Sequence, residues 1–263
     1  MVEHLNSQSL KPKRVVILGS GGFIGKKLSA QLVAGGIDVQ EVRSSDINLC
    51  LADSAVALRA LLRPDDAVVF ASAITPDKGK DIHTFMRNLQ MAEQISTALE
   101  KSPVAHVIYI SSDAVFDDNL PPITESTPAA PSTIYGVMHL AREKILASVL
   151  EKSKTPYLIV RPCAIYGAGD THNSYGPNRF LRSALKEKKI KLFGQGEEKR
   201  PHLYIDDLAA ILLQALLCRT VGLLNVVPGE SISFGSIAER VIRLVGNGTM
   251  IESLAKSGPI THK

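Results

Sequence analysis

Tryptophan is absent from this chain of 263 residues, and its 7 phenylalanines and 6 tyrosines make up only 5% of it. So few rings exclude a surface on which nucleic-acid bases would stack. Cysteine is nearly as scarce. Cys50, Cys163 and Cys218 show no metal-ligand spacing, so no metal is expected. Cys163 and Cys218 fall in apolar strand and helix patterns, which reads as buried thiols in a reducing compartment. No apolar run approaches the ~20 residues that span a bilayer. Residues 1–13 are polar and lack the apolar core of a secretory signal. These absences lead us to expect a soluble, cytoplasmic protein with no nucleic-acid or membrane partner. The formal charge is a mild +4. Basic residues are scattered except for Lys186, Lys188, Lys189 and Lys191, which read as a solvated helix end. An anion-binding surface is the other reading of that cluster.

What the chain does contain is alternation. Apolar strand-like runs at 15–18, 39–42, 67–71, 104–110, 157–160 and 223–227 are separated by helical patterns at 23–34, 53–62, 81–100, 134–150 and 206–217. Strands separated by helices predict a doubly wound parallel α/β sheet. Asp53-Ser54 and Asp206-Asp207 are predicted to cap their helices. Two stretches leave the alternation. Residues 112–135 carry Pro121, Pro122, Pro128 and Pro131, and residues 167–200 carry six glycines and prolines. Excursions at the carboxyl ends of strands are where such sheets bind ligands. The tail after Gly246 shows little pattern and is expected to be partly disordered.

The sharpest signal is residues 19–25 (GSGGFIG), directly after the apolar run 14–18 (RVVIL). A buried strand feeding a glycine turn that opens a helix presents backbone N–H groups to phosphate. Gly19 permits the tight turn, Gly22 lets a diphosphate approach the main chain, and Gly25 allows close helix packing. Phe23 and Ile24 begin the helix beside it. A dinucleotide is therefore the expected ligand.

Further segments fall in a recognisable order: 111–116 (SSDAVF) after a strand, Tyr135 opening a helix, 161–167 (RPCAIYG), 200–208 (RPHLYIDDL) and 224–233 (LNVVPGESIS). Together with the glycine turn they resemble the extended short-chain dehydrogenases/reductases, in the NAD-dependent epimerase/dehydratase branch that acts on nucleotide sugars. Segments 43–49 (RSSDINL) and 112–117 (SDAVFD) are similar to ketosugar reductases and nucleotide-fucose synthases. The resemblance covers nearly the whole chain. It implies a Rossmann-type fold with a dinucleotide-binding core at 13–166, to which 203–227 returns, and a small C-terminal substrate-binding lobe from 167–202 and 228–263. It also implies a homodimer paired through helices 81–100 and 134–150, although their apolar stripes equally suit packing on the sheet. Such enzymes commonly continue for tens of residues past this chain's last position, to complete the sugar pocket.

The resemblance maps the catalytic serine to Ser112 and the tyrosine to Tyr135. A phenol suits proton transfer at a sugar hydroxyl, but its ordinary pKa of about 10 needs a nearby cation to lower it. The family's lysine, four residues after the tyrosine, is here His139. Three readings stay open: His139 bonds the ribose and becomes cationic, it is itself the acid–base group, or turnover is lost and the chain is a dinucleotide-binding regulatory or assembly subunit. Arg142 and Lys144 do not match the lysine's spacing. By the same resemblance Asn88 supports the site, Arg200 meets the substrate diphosphate and Asn173 lies in the excursion that lines the sugar pocket. His172 has no second residue at metal-ligand spacing.

Cofactor choice turns on the end of the second strand, where Val42 is followed by Arg43 and Ser44. An arginine fork holds a phosphate bidentately, which favours NADP over NAD. Glu41 and Asp46 are the acidic residues nearest that position. The function expected is epimerisation or reduction of a nucleotide-activated sugar, with hydride passing between nicotinamide and a sugar carbon.

Overall fold

The strand Arg14–Leu18 is buried at every position, as a strand covered on both faces must be. It forms the middle of the sheet in a computed structural model that describes residues 2–117 and 123–256. Pro121 and Pro122 of the proline-rich loop, and positions 257–263 assigned to the lobe, lie outside those residues. In chain order the elements of the main layer are β1 (Val2–His4), β2 (Arg14–Leu18), α1 (Phe23–Ala34), β3 (Asp38–Val42), α2 (Ser54–Leu61), β4 (Asp66–Phe70), α3 (Ile82–Lys101), β5 (His106–Ile110), α4 (Ile134–Ser153) and β6 (Tyr157–Pro162). There follow β7 (Ala164–Tyr166), α5 (Pro177–Glu187), β8 (Lys189–Phe193), β9 (Lys199–Arg200), β10 (His202–Tyr204), α6 (Ile205–Leu217), β11 (Thr220–Val226), β12 (Ile232–Ser233), α7 (Phe234–Val245) and β13 (Met250–Leu254).

The seven-stranded sheet has the order β1-β11-β6-β5-β4-β2-β3. β1 is antiparallel to β11 and the other neighbours are parallel. This is the expected doubly wound parallel sheet. The chain runs outward from β2 to β3, then crosses to β4 and continues the other way. That reversal opens a crevice beyond the carboxyl ends of β2 and β4, where such sheets take ligands. One apolar cluster packs α1 and α6 on one face, including Leu28, Leu32, Leu208 and Leu212. A second packs α2, α3 and α4 on the other, including Leu58, Ile95, Leu99 and Leu146.

A third cluster stands apart. Phe180, Ala184, Ile190, Leu192, Phe234, Ile237, Ala238 and Val241 come from α5, β8 and α7. Short pairings β12–β9 and β13–β8 knit this lobe together. Within the tail after Gly246, β13 pairs in parallel with all five residues of β8. The structure corrects the cap of α6, whose N-cap is Tyr204 with no side-chain bond. Asp206 and Asp207 lie within the first turn, where their charge favours the helix dipole, and Asp206 pairs with Lys27 at 2.7 Å. Asp53 occupies the N-cap of α2 but makes no capping bond, because its backbone there is helical. The lysine cluster is only partly a helix end: Lys186 ends α5 and Lys188 caps it in a left-handed conformation, while Lys189 and Lys191 belong to β8. No helix among the described residues is long and apolar enough to cross a membrane.

Candidate functional site

Gly19 has φ +96°, a conformation open to glycine. A Cβ there would fall 2.7 Å from Ser72 Oγ and 2.9 Å from the Ser72 backbone nitrogen. The turn after β2 therefore nests on the backbone just beyond β4, at the reversal of strand order. Its amide donates to the Val42 carbonyl at 2.9 Å, which ties the turn to β3 as well. A Cβ on Gly25 would meet the Gly19 carbonyl at 2.3 Å, so α1 packs against the turn itself. Gly22 caps α1 with no side-chain bond. The first amides of α1 thus lack a side-chain acceptor, and the buried Ser20 Oγ likewise has no partner among the described residues. Open amides on a glycine cradle fit the diphosphate of a dinucleotide.

Arg43 follows β3 and lies against the same turn, its Cγ 3.6 Å from where a Gly21 Cβ would be. It is exposed and pairs with Glu41 Oε2 at 2.7 Å, while Glu41 Oε1 accepts from Ser29 Oγ at 2.6 Å. Asp46 accepts from the Arg43 amide at 2.8 Å. Ser44 is exposed beside it.

Phe23 and Ile24 form one wall of a cavity of about 440 Å³, and Ser112 and Tyr135 line the same cavity. Asp77, Cys163, His172, Arg200 and His202 also face it. Tyr135 and Arg200 border a second cavity of about 390 Å³, walled by Phe85, Phe116 and Met138. The serine and the tyrosine come from segments 23 residues apart, and one small residue brings them together. A Cβ on Gly136 would meet the Ala114 carbonyl at 1.9 Å. The start of α4 therefore touches the 3-10 turn Asp113–Val115, which Ser112 caps by accepting from the Ala114 amide at 3.1 Å. Thr133 caps α4 by accepting from the Gly136 amide at 3.1 Å. Sequence reasoning missed Gly136, since its contact is with a residue remote in the chain.

Behind the pair lies a second unforeseen group. Arg161 on β6 bonds both carboxylate oxygens of Glu143 on α4, at 2.9 and 2.6 Å. Ser111 Oγ donates to the same carboxylate at 2.6 Å. All three are buried, so this bridge fixes α4 against the ends of β5 and β6. Asn88 of α3 does the same for the loop after β4, accepting from the Ile74 amide at 2.9 Å and donating to its carbonyl at 3.1 Å.

His139 is 1% exposed. Its Nδ1 lies 2.7 Å from the Tyr109 hydroxyl, and its ring meets Tyr135 edge to face at 4.7 Å between centroids. Burial, then the Arg142 guanidinium, hold the imidazole well below its usual pKa. That lowering runs against the cationic reading of His139 and leaves the other two open. Burial raises the Tyr109 phenol, so it keeps its proton beside Nδ1. The other ring nitrogen, Nε2, has no partner among the described residues. Burial pushes the Tyr135 phenol up to about 12; Arg142 pulls it down, and Asp113 and Asp77 push it further up.

Arg200 donates from Nε to Glu198 Oε1 at 3.0 Å while facing both cavities. His172 reaches across from the lobe, with Nδ1 3.1 Å from Thr75 Oγ1 and 3.2 Å from Asp77 Oδ1. Asn173 is set apart from these residues. It has φ +50°, accepts from Arg182 at 2.9 Å and borders a different depression with Phe180 and Lys191. Its neighbours His172 and Ser174 line the main cavity instead. No group of His, Cys, Asp or Glu among the described residues is arranged to hold a metal ion. Cys163 is buried and its thiol is pushed up to about 12 by burial, which leaves it unreactive.

Comparison with known proteins places this geometry. Residues 15–223 match the family described as NAD dependent epimerase/dehydratase. The chain is 26% identical over 211 residues to the uncharacterized UDP-glucose epimerase YtcB of Bacillus subtilis strain 168, covering 78% of this chain and 65% of that protein. It is 24% identical over 260 residues to dTDP-D-glucose 4,6-dehydratase of Mus musculus, covering 89% and 73%. The chain spans only 61% to 65% of the length of three curated relatives that it matches. Among solved structures, GDP-L-fucose synthetase of Naegleria fowleri superposes with a TM-score of 0.83 at 19% identity, over 99% of this chain and 88% of that one. UDP-N-acetylglucosamine 4-epimerase of Methanobrevibacter ruminantium M1 gives 0.82 at 22% identity, over 96% and 89%. At those identities the likeness is one of fold. The fucose synthetase has also been solved with NADP, and UDP-glucose 4-epimerase of Thermus thermophilus with NAD. On the span of the family match, this chain belongs to the NAD-dependent epimerase/dehydratase family.

Proposed function

We propose that this protein epimerises or reduces a nucleotide-activated sugar with a nicotinamide dinucleotide, Tyr135 serving as acid–base group. One observation carries the reading: Ser112 and Tyr135 line the same cavity as Phe23 and Ile24, at the mouth of the glycine turn. The turn and the open amides of α1 hold the diphosphate of the dinucleotide. When bound, the nicotinamide supplies a site that accepts or gives up hydride. The protein's part is proton movement and alignment. Tyr135 takes the proton from a sugar hydroxyl, or returns it to a carbonyl oxygen, as hydride leaves or joins the same carbon. Ser112 Oγ orients that oxygen, and Arg200 at the junction of both cavities meets the substrate's phosphates.

Arg43 beside Gly21 supports NADP. Glu41 tempers that preference, because its carboxylate already holds the guanidinium and repels a 2′-phosphate. A groove between α3 and α4 lined by Met86, Leu89, Ile145 and Val149 supports pairing of two copies through these helices. The sugar pocket is completed by His172 and Ser174 in place of Asn173.

The test is a panel of nucleotide sugars incubated with the purified protein and either coenzyme, followed by product mass spectrometry and nicotinamide absorbance. Product formation is expected, with Tyr135→Phe losing about 10²- to 10⁴-fold in turnover while retaining coenzyme. A reductase consumes nicotinamide and an epimerase does not. The second reading, a binding subunit without turnover, is favoured by His139 at the family's lysine position. Tight coenzyme binding with no hydride exchange on any sugar would establish that reading.

A further inference from the structure

Arg142 is 0% exposed, the largest of the side chains withdrawn from water among the described residues. It lies seven residues after Tyr135 and three after His139. Spacings of four and seven place all three on one face of α4. That face meets the ends of β4 and β5: the guanidinium carbon sits 4.1 Å from the centre of the Phe70 ring and 5.3 Å from that of Tyr109. One nitrogen donates to the Ser72 carbonyl at 2.7 Å, another lies 3.7 Å from Met138 Sδ, and Nε has no partner among the described residues. No carboxylate among them pairs with it. Glu143, the nearest candidate on the helix, is committed to Arg161 and Ser111. Guanidinium does not discharge in proteins, so this is a buried charge without a counter-ion. Aromatic faces and a carbonyl are what hold it.

Resting on Tyr135 as the acid–base group, we propose that Arg142 is the fixed cation of the site, a positioning residue that biases the Tyr135 phenol towards its anion across the His139 ring. The charge that the family resemblance places one turn after the tyrosine is here two turns on. Several groups face this assembly. His139, Arg142 and the Arg161-paired Glu143 come from α4, Tyr109 from β5, Asp113 from the 3-10 turn, Asp77 from the loop after β4 and Cys50 from the segment after β3, while Arg200 of β9 lines both cavities with Tyr135. The two aspartates oppose the phenolate, and Arg142 favours it. A second cation at position 139 would repel Arg142 in the same dry space. That exclusion explains why a histidine is compatible with this position. The Ser72 carbonyl also ties the cation to the backbone on which Gly19 rests.

The experiment needs no turnover. The cofactor-free protein is labelled with fluorotyrosine, whose phenol is more acidic, and titrated by fluorine NMR, with Tyr135→Phe assigning the resonance. Arg142→Met is expected to raise the Tyr135 midpoint by about one to three pH units, and Arg142→Lys to leave it near the wild-type value. An unchanged midpoint in folded Arg142→Met overturns the proposal. A charge exchange covers the case in which that variant does not fold. His139→Lys alone is expected to lower the melting temperature, and His139→Lys with Arg142→Met to recover it and restore the Tyr135 midpoint. Strictly additive losses in the double variant would equally overturn it. Absence of sugar turnover, by contrast, would bear on the proposed function and leave this electrostatic result standing.

Discussion

β4 separates two buried arginines that are treated in opposite ways. At its amino end Asp66 is fully buried and takes both an Nε and a terminal nitrogen of Arg14, at 2.8 and 2.7 Å, with the Leu61 carbonyl as a third acceptor. Beyond its carboxyl end Arg142 lies over Phe70 with one carbonyl and ring faces for company. The buried histidines follow suit. They do so only in their partners: His106, at the amino end of β5, donates from Nε2 to the Thr220 carbonyl at 2.7 Å and His139 Nδ1 lies 2.7 Å from the Tyr109 hydroxyl, while the second ring nitrogen of each has no partner among the described residues. The arginine at one end of β4 is paired with a carboxylate and the arginine beyond the other end is not, although that second rim also holds the buried Arg161–Glu143 pair. Closing a buried ion pair costs its desolvation and returns little net stability, but breaking it is expensive. The contrast therefore separates an arginine whose charge is neutralised from one whose charge is not.

The contrast can be broken most forcibly at the paired arginine. Arg14→Met strands the Asp66 carboxylate and is expected to destabilise the protein by about 3–5 kcal/mol in urea denaturation. Coenzyme affinity of the molecules that remain folded should not change. An equal loss of affinity would mean that the two rims are coupled.

Acidification sharpens the comparison next. Burial lowers the His106 pKa to about 4, so the native ring stays neutral after the unfolded ring, near 6.5, has taken a proton. The unfolded state binds more protons in that window, and stability falls as pH drops from about 6.5 to about 4. The loss is about 3 kcal/mol for this residue alone. His106→Gln should flatten that part of the pH–stability curve, as read by denaturation at successive pH values. A curve of unchanged slope would show that His106 is not the group responsible.

The smallest effect is expected at the second rim. Gly136→Ala forces a methyl against the Ala114 carbonyl, and overpacking of this kind costs about 1–3 kcal/mol. Its effect on turnover should exceed its effect on stability, because the start of α4 moves relative to Ser112. Unchanged kcat with lowered stability would show that the contact only packs the helix.

Most of the parallel sheet was legible because its strands are apolar on both faces and its helices amphipathic. Helix 23–34 was read to the residue, and the predicted strands at 15–18 and 39–42 fell one residue short of β2 and β3. The lobe was not legible as elements. β8 alternates buried and exposed residues over a short span, and β13 buries little, so neither carries an apolar run. α7 does show the 3.6 period in Phe234, Ile237, Ala238 and Val241, and that signal was available. In the site, the glycine turn, Ser112 and Tyr135 were legible by motif and order. Arg142 does not stand out in the sequence, because the family resemblance points one helical turn past Tyr135 and this residue lies two turns on. Gly136 and the Glu143–Arg161 bridge depend on contacts between separate segments, which no local pattern encodes.

The place of β11 in the sheet has a consequence for biogenesis. It lies between β6 and β1, so the first strand made has no neighbour to join until the last one of that layer emerges. During vectorial synthesis the segment from β2 to β6 can close around the crevice beyond β2 and β4 while β1 waits with an open edge. That edge, and the matching flank of β6, are where a nascent chain is exposed to chaperones and to pairing with its own copies.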